Sequence, residues 1–324
     1  MSKCEGCGVE LQNIDSGFDG YVLSEEHNLC YRCFIIKNYG QNKAISTGNV
    51  DYLKILDRIK KDDLVVYVTS LLTLNVDYLS RFSKVLLVLT KRDVLPKSVK
   101  DEKIIQYVKK NHKNILDVII VSAYKKYNLD MLYEKLNKYG FGKDIYFVGI
   151  TNSGKSTLLN EMIKSYSGSA GKITTSNFPS TTLSVVPITL GDLNINDTPG
   201  IVLMNSIINF LDNKGIKKIN PKKEIKPITF QISGQGALLI DELIRIEYET
   251  DVSSMTFYMA NSLSVKSISK NNPRLKDVKS LEYTIENNQD IVIEDIGFIK
   301  FTKRCKIKIC YRDELLLRVR DNLI

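Results

Sequence analysis

Residues 144–163 read DIYFVGITNSGKSTLLNEMI, and the fold turns on them. An apolar strand, Ile145 to Val148, runs into G-x-x-x-x-G-K-S at Gly149, Gly154, Lys155 and Ser156. Leu158, Leu159 and Met162 then follow at helical spacing. Strand, glycine-bearing loop and helix start form the setting in which a phosphate cradle works. Glycine lets backbone amides turn inward round a β-phosphate, Lys155 reaches the β and γ oxygens, and Ser156 offers its hydroxyl to Mg2+. Asn152, Ser153, Gly154 and Thr157 complete the nucleotide contacts expected of this loop.

Outward toward the carboxy terminus, DLNINDTPG (192–200) alternates as a strand and ends in Asp197-Thr198-Pro199-Gly200. There a carboxylate can hold a Mg2+ water and the Gly200 amide can sense a γ-phosphate. Between the two motifs lies the Ser/Thr-rich loop TTSNFPSTTLSVVPI (174–188), where Thr182 is the expected residue to close on Mg2+ and Thr181 its understudy.

Outward toward the amino terminus, the apolar strand Val85 to Leu89 ends in Thr90-Lys91-Arg92-Asp93, a T-K-x-D form of a guanine reader. Asp93 would accept from N1-H and the exocyclic amine of guanine while the Lys91 stem covers the base. Adenine lacks that donor pair, so an aspartate here rejects ATP. A second apolar strand, Ile115 to Val121, ends in Ser122-Ala123, whose backbone can meet guanine O6. In an ordinary small GTPase the phosphate loop precedes the guanine reader. Here the readers at 90 and 122 come first, and no further [NT]-K-x-D follows Gly200. The sheet reads as circularly permuted, with the segment after Gly200 leading into residues 209–324.

The chain has 324 residues, 43% hydrophobic and 26% charged, with 18 Gly and 7 Pro. Collagen-like, low-complexity and wholly disordered readings fail, and two or three domains are expected. The longest apolar stretch, Leu64 to Val76, is interrupted by polar residues and falls short of the roughly 20 residues of a membrane helix, so no span is expected. The opening MSKCEGC has no apolar signal core, which points to a cytoplasmic protein. Net charge is +9, and residues 41–208 hold most of the excess, with 23 basic against 15 acidic side chains. A basic surplus suits polyanion partners and equally suits a solvated lysine-rich surface. His27 and His112 sit in polar stretches and belong to no acid–base constellation.

Cys4, Cys7, Cys30 and Cys33 form C-x2-C, a gap of 22 residues, and C-x2-C. Four thiolates at that spacing can close on one tetrahedral Zn2+ at about 2.3 Å per bond, leaving no open position, so the ion would be structural. Two disulfides or a redox C-x-x-C are the competing readings; a cytosolic setting disfavours the first. Cys305 and Cys310 lie in the alternating run RCKIKICYR and read as buried strand residues. After the basic linker KKINPKKEIKP (217–227), residues 209–324 read as strand-rich. The runs are Ile228–Ile232, Met255–Met259, Asp290–Ile293, Ile296–Phe301 and Lys306–Tyr311, with Gly234 and Gly236 marking a turn or close approach. Lys, Arg, Tyr and Phe on such a sheet could stack and pair with RNA, and the same alternation describes any half-buried sheet.

A four-cysteine finger, then TKRD, SA, GITNSGKST, FPSTTL and DTPG in that order resembles the YqeH-type circularly permuted GTPases of ribosome assembly. The resemblance covers essentially the whole chain, including DIVIEDIGFIKF (290–301). It implies an α/β, circularly permuted P-loop GTPase domain (41–208) between an amino-terminal zinc-finger module (1–40) and a carboxy-terminal β-rich RNA- or protein-binding domain (209–324). It also implies GTP and GDP as ligands, Mg2+ and Zn2+, slow hydrolysis, and the small (30S) ribosomal subunit or its assembly intermediates, with their rRNA and proteins, as partner. Thr90 stands where many relatives have Asn, and Ser180 where Gly is usual. Ile201-Val202 occupies the place of the glutamine that orients water in Ras-like enzymes, so turnover would be about 10⁻⁴ to 10⁻³ per second by analogy with unaided Ras. In several relatives K+ replaces an arginine finger, held partly by a loop asparagine, and Asn152 holds that position or merely bonds loop backbone. Catalysis would then rest on Lys155, Thr182 and Asn152. Two other classes compete: a zinc- and RNA-binding adaptor with GTP as a structural ligand, and a P-loop kinase or ATPase.

Overall fold

Strand β1 (Leu64–Ser70) has all seven residues buried and β2 (Val85–Thr90) all six. Apolar runs without alternation suit strands covered on both faces, as a parallel sheet wrapped in helices requires. These are the strands of a computed structural model that describes residues 55–112, 114–166, 185–203, 205–275, 278–312 and 314–324, with 3–4, 9–13 and 22. Strands β3 (Ile115–Ile120), β4 (Asp144–Gly149), β5 (Val186–Leu190) and β6 (Leu193–Asp197) complete a sheet in the order β3-β2-β1-β4-β6-β5. All neighbours pair parallel except β5 with β6. Helix α1 (Asp101–Asn111) packs Ile104 and Val108 on one face. Helices α2 (Leu129–Gly140) and α3 (Lys155–Tyr166) bury Leu132, Leu136, Leu158, Leu159 and Met162 on the other. The strand carrying the phosphate loop is thus fourth in the chain and central in the sheet.

The trailing half is a second, antiparallel sheet. Its strands are β7 (Ile228–Ile240), β8 (Ile244–Met259), β9 (Val265–Ile268), β10 (Lys279–Ile285), β11 (Gln289–Ile293), β12 (Gly297–Phe301), β13 (Cys305–Tyr311) and β14 (Leu317–Asp321). The sixteen residues of β8 organise it: β7 runs along one side, while β13 and then β12 share the other. All five expected runs form strands. Three strands of this sheet were not anticipated, β9, β10 and β14, and all three are its edges, just as β1 of the first sheet was read only as an apolar stretch. β9 is only four residues long, while β10 and β14 alternate apolar with polar residues over short runs, Leu281, Tyr283 and Ile285 in one and Leu317 and Val319 in the other, that are rich in charged and polar side chains. Gly234 and Gly236 do not make a turn, because β7 continues through them. The register shifts between Ile232 and Gly234 and Gly234 takes φ 64°, while Gly236 is the expected close approach, since a Cβ there would meet the Tyr248 hydroxyl oxygen at 2.3 Å. Cys305 and Cys310 are each 1% exposed, and burial pushes the Cys305 thiol up to about 11, which leaves it unreactive.

The two sheets are packed together. The stretch expected as a linker forms the end of helix α4 (Asn213–Ile219) and then a staple. Ile219 enters the core of the second sheet and Ile225 that of the first, where the Ile225 amide bonds Val94 O at 2.8 Å. Val292, Phe298 and Leu323 extend the first core into the second sheet. Arg318 reaches across to Thr73 O at 3.0 Å and pairs with Glu294 at 2.8 Å, and the Glu294 carboxylate also accepts from Asn75 at 3.1 Å. Glu294 is 1% exposed, and Arg318 and Asn75 satisfy its buried carboxylate in place of water. At the amino end, Lys3 pairs with Glu10 and the Cys4 amide bonds Val9 O at 2.8 Å, with Cys4 buried beside Leu11 and Val22. Cys7, Cys30 and Cys33 lie outside the described residues. Among the described residues no three potential ligands cluster, and no helix is long and apolar enough to cross a membrane. Replacing Arg318 with Ala should cost about 3 kcal/mol of stability by stranding the buried Glu294 carboxylate. Urea denaturation checks this, and an unchanged midpoint would mean that the Arg318–Glu294 pair at the junction contributes nothing.

Candidate nucleotide site

The phosphate loop leaves β4 at Gly149, where a Cβ would lie 2.5 Å from Val68 O of the neighbouring strand, so only glycine fits. Asn152 at φ 64° and Gly154 at φ 90° turn the backbone through left-handed conformations before helix α3 begins at Lys155. Such a turn aims successive amides at one point, ahead of a helix amino terminus that favours negative charge. Lys155 is 6% exposed. Its ammonium pairs with the Asp197 carboxylate and donates to Thr198 O at 2.6 Å. The Ser153 hydroxyl is buried and has no hydrogen-bond partner among the described residues. A buried hydroxyl without a partner among the described residues and a buried ammonium held by one carboxylate and one carbonyl fit a polyanion at this turn.

The Asp197-Thr198-Pro199-Gly200 segment lies against the loop. The Ile201 amide donates to Gly149 O at 2.9 Å, the Thr151 amide to Ile201 O at 2.8 Å, and a Cβ on Gly200 would lie 3.2 Å from the Thr151 methyl. Thr198 donates its hydroxyl to Phe147 O at 2.8 Å. Asp197 at the end of β6 and half-buried Ser156 at the start of α3 supply the oxygen donors that a hard divalent cation takes. Ile201 is 1% exposed and packed in the core, so its side chain offers no hydrogen bond to a water. Thr157 is exposed on the first turn of α3. Thr181 and Thr182 fall outside the described residues, as does Ser180.

The base-reader motif stands beside the same loop. Strands β2 and β4 flank β1, with Ser70 opposite Thr90 and Val68 opposite Gly149. The Thr90 hydroxyl donates to Ser153 O in the phosphate loop, so it replaces the amide cross-link that an asparagine would make. Lys91 adopts φ 63°, and the Arg92 amide bonds Val121 O at 3.1 Å, joining this turn to the one that follows β3. Across that junction Ser122 donates its hydroxyl to Asp93 Oδ1 at 2.6 Å and accepts the Lys125 amide at 3.0 Å, which fixes the carboxylate. Ala123 follows at the same turn, half-buried. Burial lowers the Lys91 ammonium from its usual range, against the opposing pull of Asp295, Asp93 and Glu294.

Two of those carboxylates belong to the trailing sheet, and sequence reasoning missed them at this site. A narrow cleft beside the loop is lined by Ser70, Lys91, Thr151, Asn152, Asn220 and Asp295. Asn152 donates its amide nitrogen to Asp295 Oδ1 at 2.9 Å and lies 3.3 Å from Asn220 Oδ1, so it does not merely bond loop backbone. Asp295 is 143 residues from Asn152, and no local pattern in DIVIEDIGFIKF signals that meeting.

Residues 144–261 match the family described as 50S ribosome-binding GTPase. The chain is 38% identical over 279 residues to the Bacillus subtilis protein YqeH, covering 81% of this chain and 76% of that one. It is 24% identical over 277 residues to the NO-associated protein 1, chloroplastic/mitochondrial, of Arabidopsis thaliana, spanning 72% of this chain and 49% of that protein. Among solved structures, YjeQ from Thermotoga maritima is similar with a TM-score of 0.29 and 18% identity, over 47% of this chain and 50% of that one. With the phosphate loop in the middle of the parallel sheet and the base-reader motif ahead of it in the chain, this protein belongs to the YqeH family of circularly permuted P-loop GTPases, GTP hydrolases by class.

Proposed function

We propose that this chain is a slow GTP-hydrolysing switch whose nucleotide state governs docking on a ribosomal assembly intermediate. The observation that carries the reading is the contact of Thr90 with Ser153, which sets the T-K-x-D turn against the phosphate loop so that one nucleotide can span both. In this reading Asp93, held by Ser122, accepts from the guanine edge, and Lys91 covers the ring. The Ala123 backbone meets O6. Asn152, Ser153, Gly154, Ser156 and Thr157 line the phosphates. With a nucleotide bound, Lys155 would exchange Asp197 for the β and γ oxygens, and Asp197, Ser156 and Thr182 would hold Mg2+. That ion, when bound, supplies charge neutralisation between the phosphates. The Gly200 amide reports on the γ-phosphate. Cys4, Cys7, Cys30 and Cys33 hold a structural Zn2+ that stabilises the amino-terminal module, in line with the tight Lys3–Glu10 pairing around Cys4.

The partner follows from relatives. The matched family is described by binding to the 50S ribosome, while the YqeH resemblance implies the small subunit, and we infer the latter because that relative matches most of this chain. Exposed Lys266, Lys303, Arg304 and Lys306 on the trailing sheet suit rRNA or an acidic face of a ribosomal protein. A cytoplasmic site of action accords with such a partner. The burial of Ile201 favours a second reading, an adaptor for which GTP is a structural ligand barely turned over.

Replacement of Lys155 by Ala should abolish GTP binding, as read by fluorescent-nucleotide titration; retained binding would reassign the site. Hydrolysis should run faster in potassium than in sodium, because the Asn152 amide oxygen is available to a monovalent ion, and equal single-turnover rates in the two salts would remove that ion. Co-sedimentation with purified 30S and 50S subunits in GTP, GDP and a non-hydrolysable analogue should show analogue-dependent binding to 30S together with stimulated turnover. Nucleotide-independent binding without stimulation would establish the adaptor instead.

A further inference from the structure

The turn between β11 and β12 carries two acidic residues with different tasks. Glu294 is held by Arg318 and Asn75 and fastens the two sheets. Asp295, in a left-handed conformation at φ 64°, spends its carboxylate on the nucleotide side. Oδ1 accepts from the Asn152 amide nitrogen at 2.9 Å and Oδ2 from the Ser206 hydroxyl. One side chain of the trailing sheet therefore grips both the phosphate loop and the segment that leaves Asp197-Thr198-Pro199-Gly200.

An ionised carboxylate only accepts hydrogen bonds, so the Asn152 amide must turn its NH2 group toward Asp295. Asn220 Oδ1 stands on the same nitrogen and reinforces that orientation. For a loop whose amides and lysine await phosphates, a negative charge at its lip is adverse, and the adversity grows with the charge of the ligand. Lys91, across the cleft, is the cation that faces Asp295, and its charge is shared among Asp295, Asp93 and Glu294. Phosphate charge at the loop would oppose this grip, and a triphosphate would oppose it more than a diphosphate.

We propose that Asp295 sets the discrimination between GDP and GTP: its carboxylate holds Asn152 and Ser206 together across the domain junction and is driven off by the additional phosphate charge, releasing both. The opposition between this carboxylate and the γ-phosphate works on the trailing sheet from a residue outside every nucleotide motif.

Dissociation constants for GDP and a non-hydrolysable GTP analogue, measured by titration calorimetry on the full chain, test it. Asp295→Ala and Asp295→Asn should each tighten the analogue by about threefold to tenfold, the effect of one partly screened unit charge. GDP affinity should move by less than about twofold on the same screening argument. Asp295→Glu keeps the charge and should leave the ratio of the two constants near that of the unaltered protein. Should Asp295→Ala fail to fold, the near-isosteric Asp295→Asn carries the same prediction. Parallel shifts for both nucleotides, or an analogue bound no more tightly, would overturn the role of the charge and leave Asp295 a structural tie. Failure of the unaltered chain to bind either nucleotide would strike the nucleotide site itself, a different outcome.

Discussion

Strand β1 is the member on which the rest depends. Its seven buried residues pair with β2 on one side and β4 on the other, both parallel; it ends level with β2 and two residues beyond the end of β4. Any loop leaving β2 therefore emerges beside the loop leaving β4. Because a parallel sheet buries both faces, the register cannot slip without exposing a core, and the adjacency of the two loops is as secure as the sheet. Permuting the chain leaves this pairing untouched, since hydrogen bonds between neighbours do not record which strand was made first. Gly149 shows how closely the strands approach: the neighbouring carbonyl occupies the space of a side chain.

The second sheet is more than an appendage. Ile219 and Ile225, six residues apart, anchor in different cores, and the buried Glu294 ties the turn between β11 and β12 to the loop after β1 through Asn75. That tie places Asp295 at the phosphate loop. A rigid link at Glu294 and a charge-sensitive one at Asp295, side by side on one turn, give the junction both a fixed pivot and a contact able to open. Buried ion pairs contribute little net stability but enforce a unique geometry when each partner needs the other.

Much of the architecture is legible in the chain itself. Unbroken apolar runs at Val85–Leu89 and Ile145–Val148 mark buried parallel strands, and alternation marks the interior of the trailing sheet. The edges were harder to read because β9, β10 and β14 are short and rich in polar residues, although Leu281, Tyr283 and Ile285 in β10 and Leu317 and Val319 in β14 do alternate. Gly234 misled for a related reason: a bulge and a turn both ask for a left-handed residue, and only the partner strand tells them apart. The stretch 217–227 looks like a linker by charge, yet its two isoleucines matter more than its lysines.

At the candidate site, the linear motifs announced which groups bear charge, which turns need glycine, and that the guanine-type reader precedes the phosphate loop; local spacing suffices for these because each motif is a few residues long. What only the tertiary structure decided is the company those groups keep. Lys155 rests on Asp197, Asp93 is steadied by Ser122, and Asn152 is held by Asp295 and Asn220. Such meetings join residues that lie from about thirty to over a hundred positions apart, and they exist because sheet register and inter-sheet packing bring them together, which no short stretch of sequence encodes.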